Sequence, residues 1–203
     1  MRPGPIRSGL AGMVLLGVAC GSPPPVVPAA APRVSLPQSP VSRLFPLIEG
    51  TQWAYDAEEV GTGNKGIFVT RARWVSGARF SLVTGQRAHT VEARTDGIAR
   101  LDTGTYLLRA PLSLGAEWPG DGGALVRVTA VDRVVDVPAG QFVGCVDTLE
   151  EVRSPSGEPR RRITTTYCPD VGIVSLYAEG WDGAKHSGER AVLRSFGKPV
   201  TLE

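Results

Sequence analysis

The chain has 203 residues, enough for one domain of ordinary size. Apolar residues make up 42% and charged residues 21%, which fits a globular core and excludes disorder through most of the length. A net charge of +2 excludes the basic footprint of a nucleic-acid binder, and three cysteines with two histidines exclude a Cys/His-rich metal scaffold.

Residues 1–19 read as a signal peptide. Arg2 and Arg7 give a positive start, and Leu10–Ala19 is an apolar run of ten. As a helix such a run rises about 15 Å, half of the ~30 Å hydrocarbon core, so it suits an export signal and not a membrane span. Without this segment 20 basic residues face 20 acidic ones. Gly17-Val18-Ala19-Cys20 resembles the bacterial lipobox, with Gly17 where that family prefers Leu. The resemblance implies cleavage before Cys20 and its acylation, and several acyl chains on one residue anchor firmly where one chain binds reversibly. The other reading is a plain secretory signal cut elsewhere, which leaves an odd thiol. Gly21 follows the cysteine, where in lipoprotein sorting an Asp retains the protein at the inner membrane. The resemblance therefore implies the outer membrane.

Residues 20–42 hold this cysteine and a tether. Seven prolines fall within Gly21–Ser42, so the stretch cannot pack a core and is expected to act as an extended spacer. As a semi-rigid spacer shorter than its full contour it is expected to hold the domain about 50 Å from the lipid surface. Residues 43–203 form the folded domain.

That domain reads as all-β. No window sustains a 3.6-residue apolar period for three turns, while alternation and turn signals recur about every ten residues. Strands at Thr51–Val60 and Lys65–Trp74 flank Gly61-Thr62-Gly63-Asn64, residues that tolerate positive φ. Pairing Val60 with Lys65 sets Trp53 against Ala72, Tyr55 against Thr70 and Ala57 against Phe68. Trp53, Tyr55, Phe68 and Trp74 then share an aromatic face, and Gln52, Asp56, Glu58, Arg71 and Arg73 share a charged one. Further strands are expected at Arg79–Thr84, Thr90–Arg94, Ile98–Leu101, Thr105–Arg109, Leu125–Val137, Phe142–Arg153, Arg161–Tyr167, Ile173–Glu179 and Glu189–Ser195. Centring the Ser154–Pro159 loop between Ser156 and Gly157 places Cys145 opposite Cys168, within reach of a disulfide. Export supplies the oxidising compartment for that bond, and two buried free thiols are the alternative. Sequential hairpins of this kind predict a single antiparallel meander, a curved sheet or open barrel of about ten strands.

One pattern repeats. Pro46-Leu47-Ile48-Glu49-Gly50-Thr51-Gln52-Trp53 is echoed 65 residues later by Pro111-Leu112-Ser113-Leu114-Gly115-Ala116-Glu117-Trp118, both P-L-x-x-G-x-x-W. The echo marks either a half-domain repeat or a reused corner, and the indole is either a core anchor or a ligand-stacking group. F-P-L-x-x-G-x-x-W-x-Y at Phe45–Tyr55, V-P-A-G-x-F-x-G-C at Val137–Cys145 and Y-C-P-D-V-G-I-V at Tyr167–Val174 together resemble a family of uncharacterised predicted lipoproteins of high-GC Gram-negative bacteria. That resemblance spans most of Phe45–Leu176 and, since the family has no established activity, implies no catalytic residue. A looser architectural likeness is to lipid carriers of the LolA/LolB type, whose curved sheet encloses acyl chains.

No G-x-S-x-G elbow, H-E-x-x-H, P-loop or EF-hand spacing occurs. His89 and His186 have no second ligand at metal spacing, and Arg160-Arg161-Arg162 reads as a solvated hairpin tip or a contact for anionic lipid. No catalytic residue, cofactor or metal is expected. The expectation is a monomeric, non-enzymatic binding or assembly module of the envelope, tethered through Cys20, whose partners are the membrane and an envelope protein. The first alternative carries lipid or another apolar ligand on Trp53, Tyr55, Phe68 and Trp74. The second is a hydrolase built on His89 or His186 with a Ser and a carboxylate.

Overall fold

The computed structural model describes residues 39–183 and 185–198; the signal peptide, Cys20 and the tether up to Gln38 lie outside the described residues. A short helix, α1 (Pro40–Leu44), precedes twelve strands: β1 (Gln52–Val60), β2 (Lys65–Ser76), β3 (Arg79–Thr84), β4 (Arg87–Arg94), β5 (Gly97–Arg100), β6 (Tyr106–Arg109), β7 (Glu117–Pro119), β8 (Leu125–Val137), β9 (Gly140–Arg153), β10 (Pro159–Cys168), β11 (Gly172–Asp182) and β12 (Lys185–Gly197). All pair antiparallel in one sheet of order β6-β5-β4-β3-β2-β1-β12-β11-β10-β9-β8-β7. The expected all-β meander is therefore present, with twelve strands and a nearly closed barrel. Two six-stranded meanders join through β1 and β12, and their free edges, β6 and β7, approach each other.

Two elements escape a reading by periodicity. Strand β7 has three residues, too few to show alternation. Helix α1 begins inside the stretch read as tether, because Ser39 and Ser42 cap each other reciprocally and Pro40 suits the first helical turn. Its Val41 is fully buried, and Leu44, Phe45 and Leu47 follow it into the core.

The register of the first hairpin differs from the expected one. Trp53 opposes Thr70, Tyr55 opposes Phe68 and Glu58 opposes Lys65, a shift of two residues. The turn closes earlier, with Glu59 N–H donating to Asn64 O at 2.9 Å and Gly63 N–H to Glu59 O at 2.9 Å. Val60 leaves β2 and opposes Gly188 of β12. A slip of two keeps every side chain on its own face, so the aromatic and charged faces stand. The second hairpin has the expected register: Tyr167 opposes Val146, Arg162 opposes Glu151, and Cys145 and Cys168 are bonded with Cα atoms 4.2 Å apart.

The repeated pattern folds twice into the same corner. Gly50 N–H donates to Ala72 O, Thr51 N–H to Ile48 O, and Ala72 N–H to Thr51 O. Gly115 N–H donates to Val128 O, Ala116 N–H to Ser113 O, and Val128 N–H to Ala116 O. Gly50 and Gly115 sit at φ 78° and 81°, a backbone conformation that glycine adopts without steric cost. Each corner starts one six-stranded meander and buries its indole to 2% exposure. The pattern is a half-domain repeat, and both indoles are core anchors.

Side chains close the barrel where its edges meet. Trp118 Nε1 donates to Tyr106 O of β6 at 3.2 Å. Arg100 on β5 donates to Glu150 Oε2 at 3.3 Å, and Arg161 on β10 donates to Glu150 Oε1 at 2.9 Å and to Asp121 O at 3.0 Å. Glu150 is buried, so two guanidiniums compensate a carboxylate that would be costly alone. Gly97 is needed within the adjacent β5–β6 pair, because a Cβ there would lie 2.3 Å from Leu108 O.

Candidate functional site

The predicted aromatic face points inward and is occupied by the protein itself. Trp53 stacks on Phe45 with ring centroids 6.1 Å apart, and Tyr167 meets Phe45 edge-on at 6.2 Å. Trp53 Nε1 donates to Val171 O at 2.6 Å, and Tyr55 OH donates to Ile173 O at 3.0 Å. Their polar atoms are thus spent on the main chain around the start of β11. Tyr55 also stacks on Phe68 at 5.0 Å. Burial pushes the Tyr55 hydroxyl well above its usual range, and burial does the same to Tyr167. Trp74 is not brought together with these three. It lies half-exposed at the end of β2, and its Nε1 donates to Gly77 O at 3.0 Å.

A space open to a ligand lies on the opposite face of the same strands. A cleft of about 840 Å³ is lined by Asp56 and Glu58 of β1, Lys65 and Ile67 of β2, and Arg190 and Val192 of β12. Register dictates the order of these side chains. Glu58 is flanked by Lys65 and Arg190, and Asp56 is flanked by Ile67 and Val192. Arg194 Nη1 donates to Asp56 Oδ1 at 2.8 Å along one margin. The cleft presents charges of both signs beside exposed aliphatic carbon, and Ile67 is 62% exposed. Such a surface suits an extended polypeptide or a zwitterionic group better than a bare acyl chain, which needs enclosure. The alternation that produced the aromatic face also set Asp56 and Glu58 on this one. The missing signal was the approach of β12, which brings Arg190 and Val192 from 130 residues away.

The two histidines take separate places. His89 Nδ1 lies 3.2 Å from Asp102 Oδ2, and His186 Nε2 lies 3.2 Å from Glu179 Oε1. The hydrogen bond from His89 holds the Asp102 carboxyl below its usual range. Both imidazoles are exposed on the sheet, and each reaches a carboxylate. No serine, threonine or cysteine completes either pair among the described residues, and no cluster of three or more His, Cys, Asp or Glu that could hold a metal forms among them. Of the arginine run, Arg160 is exposed, Arg161 joins Glu150 at the seam, and Arg162 pairs with Glu151 and lies over Trp181 at 5.7 Å. Two of the three are therefore committed to ion pairs within the fold while staying half-exposed.

No protein-family profile matches the chain, and no curated protein does. Among solved structures the chain is similar to a candidate exported protein of Bacteroides fragilis with a YmcC-like fold, at 17% identity and a TM-score of 0.49, over 76% of this chain and 98% of that one. It is also similar to a candidate lipoprotein of Parabacteroides distasonis, at 16% identity and a TM-score of 0.43, with the same coverage.

Proposed function

We propose that the chain is an envelope lipoprotein, held at the outer membrane through Cys20, whose barrel is a non-enzymatic binding or assembly module. The observation that carries this reading is the division of labour between the two faces of β1. The inward face spends Trp53 and Tyr55 on the main chain of the opposite meander, and the outward face opens a cleft of mixed charge. A carrier of apolar ligand needs the inward face free, and a binding module does not. The lipobox-like sequence ending at Cys20 supplies the address.

Two measurements test this reading. The Cys20→Ser protein is expected in the soluble fraction of a dilute lysate, and its recovery with membranes would overturn the anchor. Residues 20–203 carrying Cys20→Ser, exported to a periplasm and purified without detergent, are expected to give a bare mass by native mass spectrometry. A reproducible adduct of lipid mass would overturn the module in favour of a carrier.

A further inference from the structure

Strand direction sorts the exposed apolar side chains by end. The end of the barrel that carries α1 also holds both corners, the β8–β9 tip, the β10–β11 turn and the last residue of β12. Ile48, Trp74, Val75, Leu114, Val143 and Phe196 are all exposed there, Leu114 at 67% and Val143 at 65%. At the opposite end the exposed large apolar side chains are Val60, Ile67 and Leu125, among turns built from Thr62, Asn64, Asp102, Thr103, Ser154, Ser156 and Glu158. Trp74 and Val75 are neighbours at the end of β2, and the other four are spread over separate turns and strand ends. Trp74 has its indole N–H satisfied by Gly77 O while part of its ring stays exposed, a pairing of wet and dry edges suited to a lipid interface.

We propose that this end of the barrel rests on the lipid surface, its protruding apolar side chains entering the interface while the far end faces the aqueous space. The inference rests on the reading of Cys20 as the lipid anchor. The described chain enters at this end through Ser39, where Asp170 N–H donates to Arg43 O at 2.8 Å. Eighteen residues separate Cys20 from Ser39, a contour of about 55 Å if extended, so the domain can return to the surface that holds its anchor. A short tether supplies an effective concentration on the order of millimolar, so a contact too weak to hold a free protein is well populated by a tethered one. Both charge signs occur at this end, with Arg43 paired to Asp170 and Arg79 to Glu92, so the occupant is a neutral interface recognised by its apolar depth.

The test uses residues 20–203 with Cys20→Ser and neutral phosphatidylcholine vesicles in a sedimentation assay. The expected partition constant is on the order of 10³ M⁻¹, below the ~10⁴ M⁻¹ of a single myristoyl chain, and so vanishes in a dilute lysate. Leu114→Asp and Val143→Asp are each expected to lower it about tenfold, while Leu125→Asp at the far end leaves it unchanged. All three sites are exposed, and an unaltered melting temperature shows that each variant is folded. Absence of partition at high lipid, or equal losses from both ends, would overturn the surface contact and leave the anchor reading intact. Mass spectrometry of the wild-type chain without acyl mass on Cys20, with partition retained, would overturn the anchor and keep the surface.

Discussion

The two meanders start from the same corner and diverge from it. In the first, β5 and β6 have four residues each, and its buried residues are apolar apart from Thr51 at the corner itself. In the second, β8 to β12 run from ten to fourteen residues and bury Asp147, Thr148, Glu150, Thr165 and Thr166 beside the disulfide. Asp147 there accepts from Thr166 Oγ1 at 2.7 Å and from Arg133, and Ser175 Oγ donates to Thr166 Oγ1 at 3.0 Å. A corner of three hydrogen bonds and an indole is thus enough to start a meander. The strands beyond the corner set whether the buried interior of the half is apolar almost throughout or carries covalent and polar cross-links as well.

Truncating the two anchors tests that equivalence most severely. Trp53→Ala and Trp118→Ala are each expected to cost about 3–5 kcal/mol in denaturant unfolding, the range for deleting a buried aromatic side chain. Their local signatures should differ. Trp118 also bonds across the open seam, so its loss should speed hydrogen exchange at β6 and β7 before the protein unfolds globally. Trp53 bonds to the loop before β11, so its loss should act on the joined centre of the sheet. If Trp118→Ala cost less than about 1 kcal/mol, the two corners would be alike in geometry but not in energy.

The covalent difference comes next in size. Cys145 and Cys168 are 23 residues apart, and on the chain-entropy account closing such a loop stabilises by about 3 kcal/mol. Cys145→Ala combined with Cys168→Ala should lower the free energy of unfolding by that amount. A loss confined to a few tenths would mean that the long second meander already restricts its own unfolded state, and that the cross-link is redundant with strand length.

How much of this was legible depends on the distance over which each feature is specified. Alternation along β1 and β2 is local, and it sorted Trp53, Tyr55 and Phe68 from Asp56 and Glu58. The turn at Ser154–Pro159 and the two cysteines are separate local signals that agree, and together they determine the β9–β10 register. Register at the first hairpin was less constrained, because Gly61, Thr62, Gly63 and Asn64 permit closure at either of two positions. The contact of Val60 with Gly188 favours the shorter pairing, and that contact belongs to the far end of the chain. The aromatic face was visible, but its occupant was not. Phe45 and the carbonyls of Val171 and Ile173 fill it, and no periodicity in β1 foretells which distant segment will cover it. Trp74 has the parity of that face yet lies at the strand end, where parity no longer implies burial. The cleft was hidden for the same reason, since Arg190 and Val192 in its lining come from β12.

The smallest expected effect compares one carboxylate from each half. Hydrogen bonds from Arg79 and Arg94 hold the Glu92 carboxyl below its usual range. Burial pushes Glu151 up, but hydrogen bonds and charge from Arg162 and Arg153 outweigh it, so Glu151 is also lowered. A lowered folded-state pKa means that each pair stabilises above the unfolded value of about 4.3 and that this contribution is lost as pH falls through the folded value. Acid titration of unfolding should therefore be flat from neutral pH to about 5 and decline below it. Glu92→Gln and Glu151→Gln should each flatten the decline at a cost of under about 1 kcal/mol at pH 7, because half-exposed arginines keep such pairs in a high dielectric. Glu151 is more enclosed than Glu92, at 11% against 21% side-chain exposure, so its replacement should remove the larger share of the acid limb. The reverse order would mean that the polar cross-links of the second meander do not make its acidic side chains more dependent on their partners. The disulfide and the longer strands would then account for the contrast between the halves without them.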